Sequence, residues 1–126
     1  MLEELTSLIT SIRDLLDRPV KHYYLDTKTV ISWTIEPGAK FRLESLDIHA
    51  SAILDTGEDL TITKDAGRGA NFDAVILSDD LYVGSRTSEH YVFGEGYEFS
   101  EDDKLVIAQL NGSGDTIGID VTITLL

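Results

Sequence analysis

The stretch that decides the fold closes the chain: Thr116-Ile117-Gly118-Ile119-Asp120-Val121-Thr122-Ile123-Thr124-Leu125-Leu126. Ile117, Ile119, Val121, Ile123 and Leu125 occupy every second position, with Thr116, Gly118, Asp120, Thr122 and Thr124 between them. Side chains alternate between the two faces of a β-strand, so this pattern specifies a strand with one dry face and one wet face. The strand is long enough to cross a whole domain and is expected inside a sheet, between two neighbours.

Working back from it, Lys104 to Leu110 reads as a strand. Asn111-Gly112-Ser113-Gly114-Asp115 then has the chemistry of a hairpin turn into the final strand. Tyr91 and Phe93 lie on another strand, which Gly94-Glu95-Gly96 is expected to turn into Tyr97 and Phe99. Phe72 to Leu77 follows a glycine-containing loop, Asp65 to Asn71, and Asp59 to Lys64 forms a short strand through Leu60 and Ile62. Between Phe41 and Leu54 the apolar parity changes: Phe41 and Leu43 are odd, whereas Leu46, Ile48, Ala50, Ala52 and Leu54 are even. A period of two cannot change face without an extra residue, so a bulge is expected near Glu44–Ser45. About eight short strands separated by turn chemistry describe an all-β protein, a sandwich or a barrel.

The front of the chain differs. Leu2, Leu5, Leu8, Ile9, Ile12, Leu15 and Leu16 recur at steps of three and four, which predicts a helix over Leu2–Leu16, stopped ahead of Pro19. Leu5, Leu8, Ile12 and Leu15 also have heptad spacing, over two heptads only. The stripe either packs on its own domain or meets another subunit or a larger surface; an isolated helix this short is marginal in water, so something must cover it. Val20 to Ile35 reads as an extended arm (Lys21-His22-Tyr23-Tyr24-Leu25) plus a first strand (Thr29 to Ile35), with Trp33 in the core. The expected division is a helix and arm over 1–40 and a β-sandwich over 41–126.

The chain carries a formal charge of −13. Such a field repels nucleic acid and anionic membranes, so neither is an expected partner. Residues 1–40 hold five basic and six acidic side chains, a net of −1, which leaves −12 for residues 41–126. A near-neutral leader on an acidic body predicts different surroundings for the two. There is no cysteine for a disulfide or thiolate site. Thr6, Ser7, Thr10, Ser11 and Arg13 interrupt any signal-like apolar core, and no apolar run approaches a membrane span, so synthesis as a soluble cytoplasmic chain is expected.

No catalytic or metal-binding set stands out. Asn111, Ser113 and Asp115 alternate around glycines like a calcium loop, but strands flank them and no glutamate closes the loop at its twelfth position. Asp55, Glu58 and Asp59 form a second oxygen-rich loop of equally low specificity. His22, His49 and His90 are far apart in sequence without metal-ligand spacing. There is no nucleophile elbow, and the two glycines around Arg68 lack the residues that complete a phosphate loop. Tyr82, Tyr91, Phe93, Tyr97 and Phe99 could form a sugar platform, but their strand alternation favours core burial.

Phe41-Arg42-Leu43-Glu44-Ser45-Leu46-Asp47-Ile48-His49, Asp59-Leu60-Thr61-Ile62-Thr63, Asp73 to Leu81, Asp103-Lys104-Leu105-Val106-Ile107 and the strand after Asn111-Gly112 together resemble bacteriophage virion proteins of the jelly-roll type. Trimeric capsid decoration (cementing) proteins and related head or tail accessory proteins are examples. The resemblance is one of pattern, over about two thirds of the chain, and the Leu2–Leu16 helix departs from it. It implies a jelly-roll-like sandwich, a homotrimer, no active site, no cofactor and a place in the virion. It further implies an amino-terminal arm that engages a major capsid or other virion protein. The expected partner-facing residues are Leu5, Leu8, Ile12, Leu15, Tyr23 and Tyr24. Two other functions fit a jelly roll: a carbohydrate- or receptor-binding module, with Tyr82, Tyr91, Tyr97 and Trp33 exposed together, and a cupin-like enzyme, with histidines and a glutamate grouped inside the barrel.

Overall fold

A computed structural model describes residues 2–16 and 19–126. The helix, α1, spans Leu2–Leu16. Glu3 and Glu4 in its first turn complement the positive end of the helix dipole. The Thr6 and Thr10 hydroxyls donate back to the carbonyls of Leu2 and Thr6, at 2.9 and 3.0 Å. Of its apolar side chains, Leu2, Leu5, Leu8, Ile9 and Ile12 stay outside the core. Among the described residues, every substantial contact between elements is between strands.

Eight strands follow: β1 Val20–Thr27, β2 Ile31–Ile35, β3 Phe41–Ala50, β4 Leu60–Asp65, β5 Ala74–Asp79, β6 Ser88–Phe99, β7 Lys104–Gln109 and β8 Ile117–Leu125. They form two four-stranded antiparallel sheets, in the orders β1-β8-β3-β6 and β2-β7-β4-β5. Only β4 and β5 are consecutive strands of one sheet; every other connection crosses between the layers. This alternation is the jelly-roll wiring, and the fold is an all-β sandwich of that kind with an amino-terminal helix.

The closing strand occupies the expected interior place, between β1 and β3. Ile117, Ile119, Val121 and Ile123 are buried and face Leu60, Ile62, Leu105 and Ile107 of the opposite sheet within one core. The parity change in β3 is a bulge: its register against both β6 and β8 slips between Leu43 and Ser45. Phe41 and Leu43 before the slip and Leu46, Ile48 and Ala50 after it are all buried. Phe41 stacks on Phe99 with ring centroids 4.5 Å apart, closing one end of the core.

Three expectations need correction. Val20–Thr27 is not a free arm but an edge strand, paired along its whole length with β8, and Tyr23 and Leu25 pack on the core. With β2 also built into the second sheet, the sandwich begins at residue 20, not after residue 40. Asn111–Asp115 is not a hairpin turn, because β7 and β8 belong to opposite sheets. Contacts from two other loops hold that crossing: Asn111 Nδ2 donates to the Thr29 carbonyl (3.1 Å), Glu58 accepts the Gly112 N–H (2.8 Å), and Ser113 Oγ accepts the Asp55 N–H (2.8 Å). Lastly, Gly94-Glu95-Gly96 does not reverse the chain. Strand β6 runs through it, and Leu43 pairs with Tyr97 while Ser45 pairs with Val92. The surplus residues form a wide irregularity, which glycine permits by taking φ values of 62° and 94° at positions 94 and 96.

Candidate functional site

The sequence-derived partner residues fall into two groups. Leu5, Leu8 and Ile12 line one face of α1 and are 52%, 57% and 48% exposed, with Ile9 beside them at 51%. The side chain of Leu15 lies outside the described residues. Tyr23 and Tyr24 separate, as neighbours on a strand must: Tyr23 faces the core and Tyr24 faces outward, 72% exposed. The candidate partner surface is therefore the apolar stripe of α1, and Tyr24 belongs instead to the outward side of β1.

The outer face of the β1-β8-β3-β6 sheet gathers polar residues that the sequence scatters. Strand pairing sets two rows across all four strands: Tyr24–Asp120–Asp47–His90 and Asp26–Gly118–His49–Ser88. A groove of about 950 Å³ runs over them. His22 lies on the same face, its Nδ1 3.7 Å from Asp120 Oδ1 and 3.1 Å from the Thr122 hydroxyl. All three histidines of the chain thus share one surface. They reach it because β1, β3 and β6 each contribute one to the outward parity, which no spacing in the sequence reveals. His90 pairs with Asp47. Asp47 and Asp120 are direct cross-strand partners. Like charges so placed repel, a cost of roughly 0.2–1 kcal/mol in a sheet. Among the described residues no three histidine, aspartate or glutamate side chains converge as a metal would require. The histidines lie outside the sandwich, so the interior grouping expected of a cupin-like enzyme is not present among them.

The aromatic set of the sequence is mostly structural. Trp33, Tyr91, Phe93 and Tyr97 pack on the core and Phe99 is buried within it, so only Tyr82, 48% exposed, presents itself outward. Tyr91 belongs to a cluster that ties the two sheets together. Arg86 Nη1 and Nη2 both donate to Asp79 at 2.9 Å, Nη1 donates to Glu89 (2.9 Å), Nη2 to the Asp80 carbonyl (2.8 Å) and Nε to the Val83 carbonyl (3.0 Å). The Tyr91 hydroxyl donates to Asp79 at 2.7 Å. The Arg86 hydrogen bonds hold the Asp79 carboxyl down to about 2, against the opposing effect of its burial. Burial, then the bond to Asp79, pushes the Tyr91 phenol well above its ordinary range. Every group in this cluster already has protein partners, so it is a clasp rather than a site. Arg68, in the exposed loop after β4, has its guanidinium 6.0 Å from the Phe72 ring.

No family model matches the chain, and no curated protein does. Among solved structures, the chain is similar to the crystal structure of a Yersinia pseudotuberculosis-derived mitogen, at 14% identity over 86% of this chain and 87% of that one, with a TM-score of 0.46.

Proposed function

We propose that this chain is a non-enzymatic structural protein of a bacteriophage virion, a capsid decoration protein that acts as a trimer. The observation that carries the proposal is α1, a helix that presents Leu5, Leu8, Ile9 and Ile12 to solvent beside a sandwich whose core is complete without it. A fifteen-residue helix is marginal alone, and its stability in proteins comes from burying such a stripe. The stripe is three columns wide, Leu5 and Ile12 in one, Leu8 in the next and Leu2 and Ile9 in the third. That is broader than the seam of a two-stranded coil and suits a bundle of more than two helices. Three sandwiches joined in this way present equivalent patches to a capsid lattice, and several weak contacts then act together. The acidic body, with a net charge of −11 over residues 20–126 against −2 for residues 1–19, keeps free trimers apart in solution.

Sedimentation of the purified chain alone and with phage particles tests the proposal. The expected result is a trimer mass that pellets with the particles; a monomer that stays in the supernatant overturns it. A second reading, a carbohydrate- or receptor-binding module, loses the aromatic platform foreseen for it, because Trp33, Tyr91 and Tyr97 serve the core. The groove over β8 and β3 is what favours it.

A further inference from the structure

We infer that the outer face of the β1-β8-β3-β6 sheet is a saccharide-binding groove, centred on Gly118 and bordered by Tyr24, Asp26, Asp47, His49 and Asp120. The inference deepens the second reading above and is independent of whether α1 forms a trimer.

Three features converge there. The first is Gly118 itself, inside a central strand, where glycine weakens pairing and commonly marks the close approach of a ligand or another backbone. Nothing in the backbone requires glycine at this position: it is not among the residues with positive φ. Nothing nearby excludes a side chain either, since an added Cβ would meet only the carbonyl oxygens of His49 and Leu25, both at 4.0 Å. The missing side chain is what leaves the floor of the groove open between Asp26 and His49, its partners on either side. The second feature is the pair Asp47 and Asp120, set directly opposite each other against their mutual repulsion. Asp120 Oδ1 is buried with no hydrogen-bond partner among the described residues, 3.7 Å from His22 Nδ1, and the side chain as a whole stays 35% exposed. The third is Tyr24, an aromatic ring left 72% exposed at the groove's edge.

The chemistry of these groups selects the ligand class. Carboxylates only accept hydrogen bonds, so the ligand must donate several. An exposed aromatic ring beside them offers an apolar platform, and a tyrosine joins such a face to a polar tip. Hydroxyl donors on one edge and a C–H face on the other describe a sugar ring. A compact metal ion would need ligands that converge, and among the described residues none do. The groove is open, is lined by residues of all four strands and has a volume of about 950 Å³, which is room for more than one sugar ring.

The test uses the full chain on an array of bacterial surface polysaccharides and mammalian oligosaccharides, with hits measured by titration calorimetry. Gly118→Val fills the floor with a residue suited to a strand, and Tyr24→Ala removes the platform without touching the core. Each is expected to weaken binding by on the order of tenfold or more while leaving the unfolding midpoint unchanged or, for Gly118→Val, higher. Retention of no saccharide by the wild type overturns the inference, as does binding that both variants preserve. Oligolysine or calcium chloride titrated alone provides the remaining arm: if either binds at the groove and no saccharide does, the site is a cationic one and the inference fails. A monomeric wild type that still loses its saccharide with Gly118→Val would refute the trimer alone.

Discussion

Replacing Leu8 with glutamate separates the helix from the sandwich as sources of stability. Burying a leucine or isoleucine completely is worth about 1.5–3 kcal/mol, so covering side chains that are about half exposed recovers roughly 1 kcal/mol each. Leu5, Leu8, Ile9 and Ile12 lie between 48% and 57% exposed, which gives about 4 kcal/mol per helix and about 12 kcal/mol for three. Assembling three chains is two associations, each costing about 4–15 kcal/mol in lost freedom, so the bundle is favourable only near the low end of that cost and depends on each layer. Leu8→Glu removes about 3 kcal/mol across three helices, before counting the burial of three carboxylates, and should raise the trimer dissociation constant at least about 100-fold. The sandwich should not notice. A surface change away from the core is worth about 0.5 kcal/mol or less, a midpoint shift of roughly 2 °C. Sedimentation velocity and thermal unfolding on the same samples read both quantities. The reasoning is refuted if the variant stays trimeric, or if its midpoint drops by many degrees, which would mean that α1 packs on its own sandwich.

Other outcomes follow from single residues. Gln109 is buried at 3% exposure with neither amide atom hydrogen-bonded among the described residues, so Gln109→Leu should stabilise the fold by about 1–3 kcal/mol in urea unfolding. Asp79 has a folded pKa of about 2 against an ordinary 3.8. A depressed carboxylate contributes stability that is fully present above the ordinary value and lost as pH falls through the folded one. The gap between wild type and Asp79→Asn should therefore be on the order of 1–2 kcal/mol at neutral pH, allowing for partial exposure, and should close between about pH 4 and about pH 2; a gap independent of pH would contradict the clasp. Gly67→Ala should cost about 1–3 kcal/mol, since the new Cβ would lie 2.7 Å from the main-chain oxygen of Asp102, and an unchanged unfolding midpoint would show that the loop yields.

The candidate sites were legible to different degrees. The α1 stripe was open to reading because a helical face is written in steps of three and four, and its exposure follows from a core that closes without it. The groove was not, because His22, Asp47, His90 and Asp120 meet only through the pairing of strands far apart in the chain. Their one local trace is a glycine on the wet face of the closing strand, at position 118.

Local periodicity determined the strands themselves. The alternation over residues 116–126 defined the central strand, and the change of parity between Leu43 and Leu46 located the bulge, because side-chain direction along a strand depends only on the neighbouring residues. Which strand pairs with which was decided only in the tertiary structure. Asn111-Gly112 has the same turn chemistry whether its flanking strands pair or part to opposite sheets, and Tyr23-Tyr24 looks like an arm until β8 lies beside it. Pairing is a contest among distant segments for the same core, and it is won by the arrangement that buries the most apolar surface with every strand hydrogen-bonded.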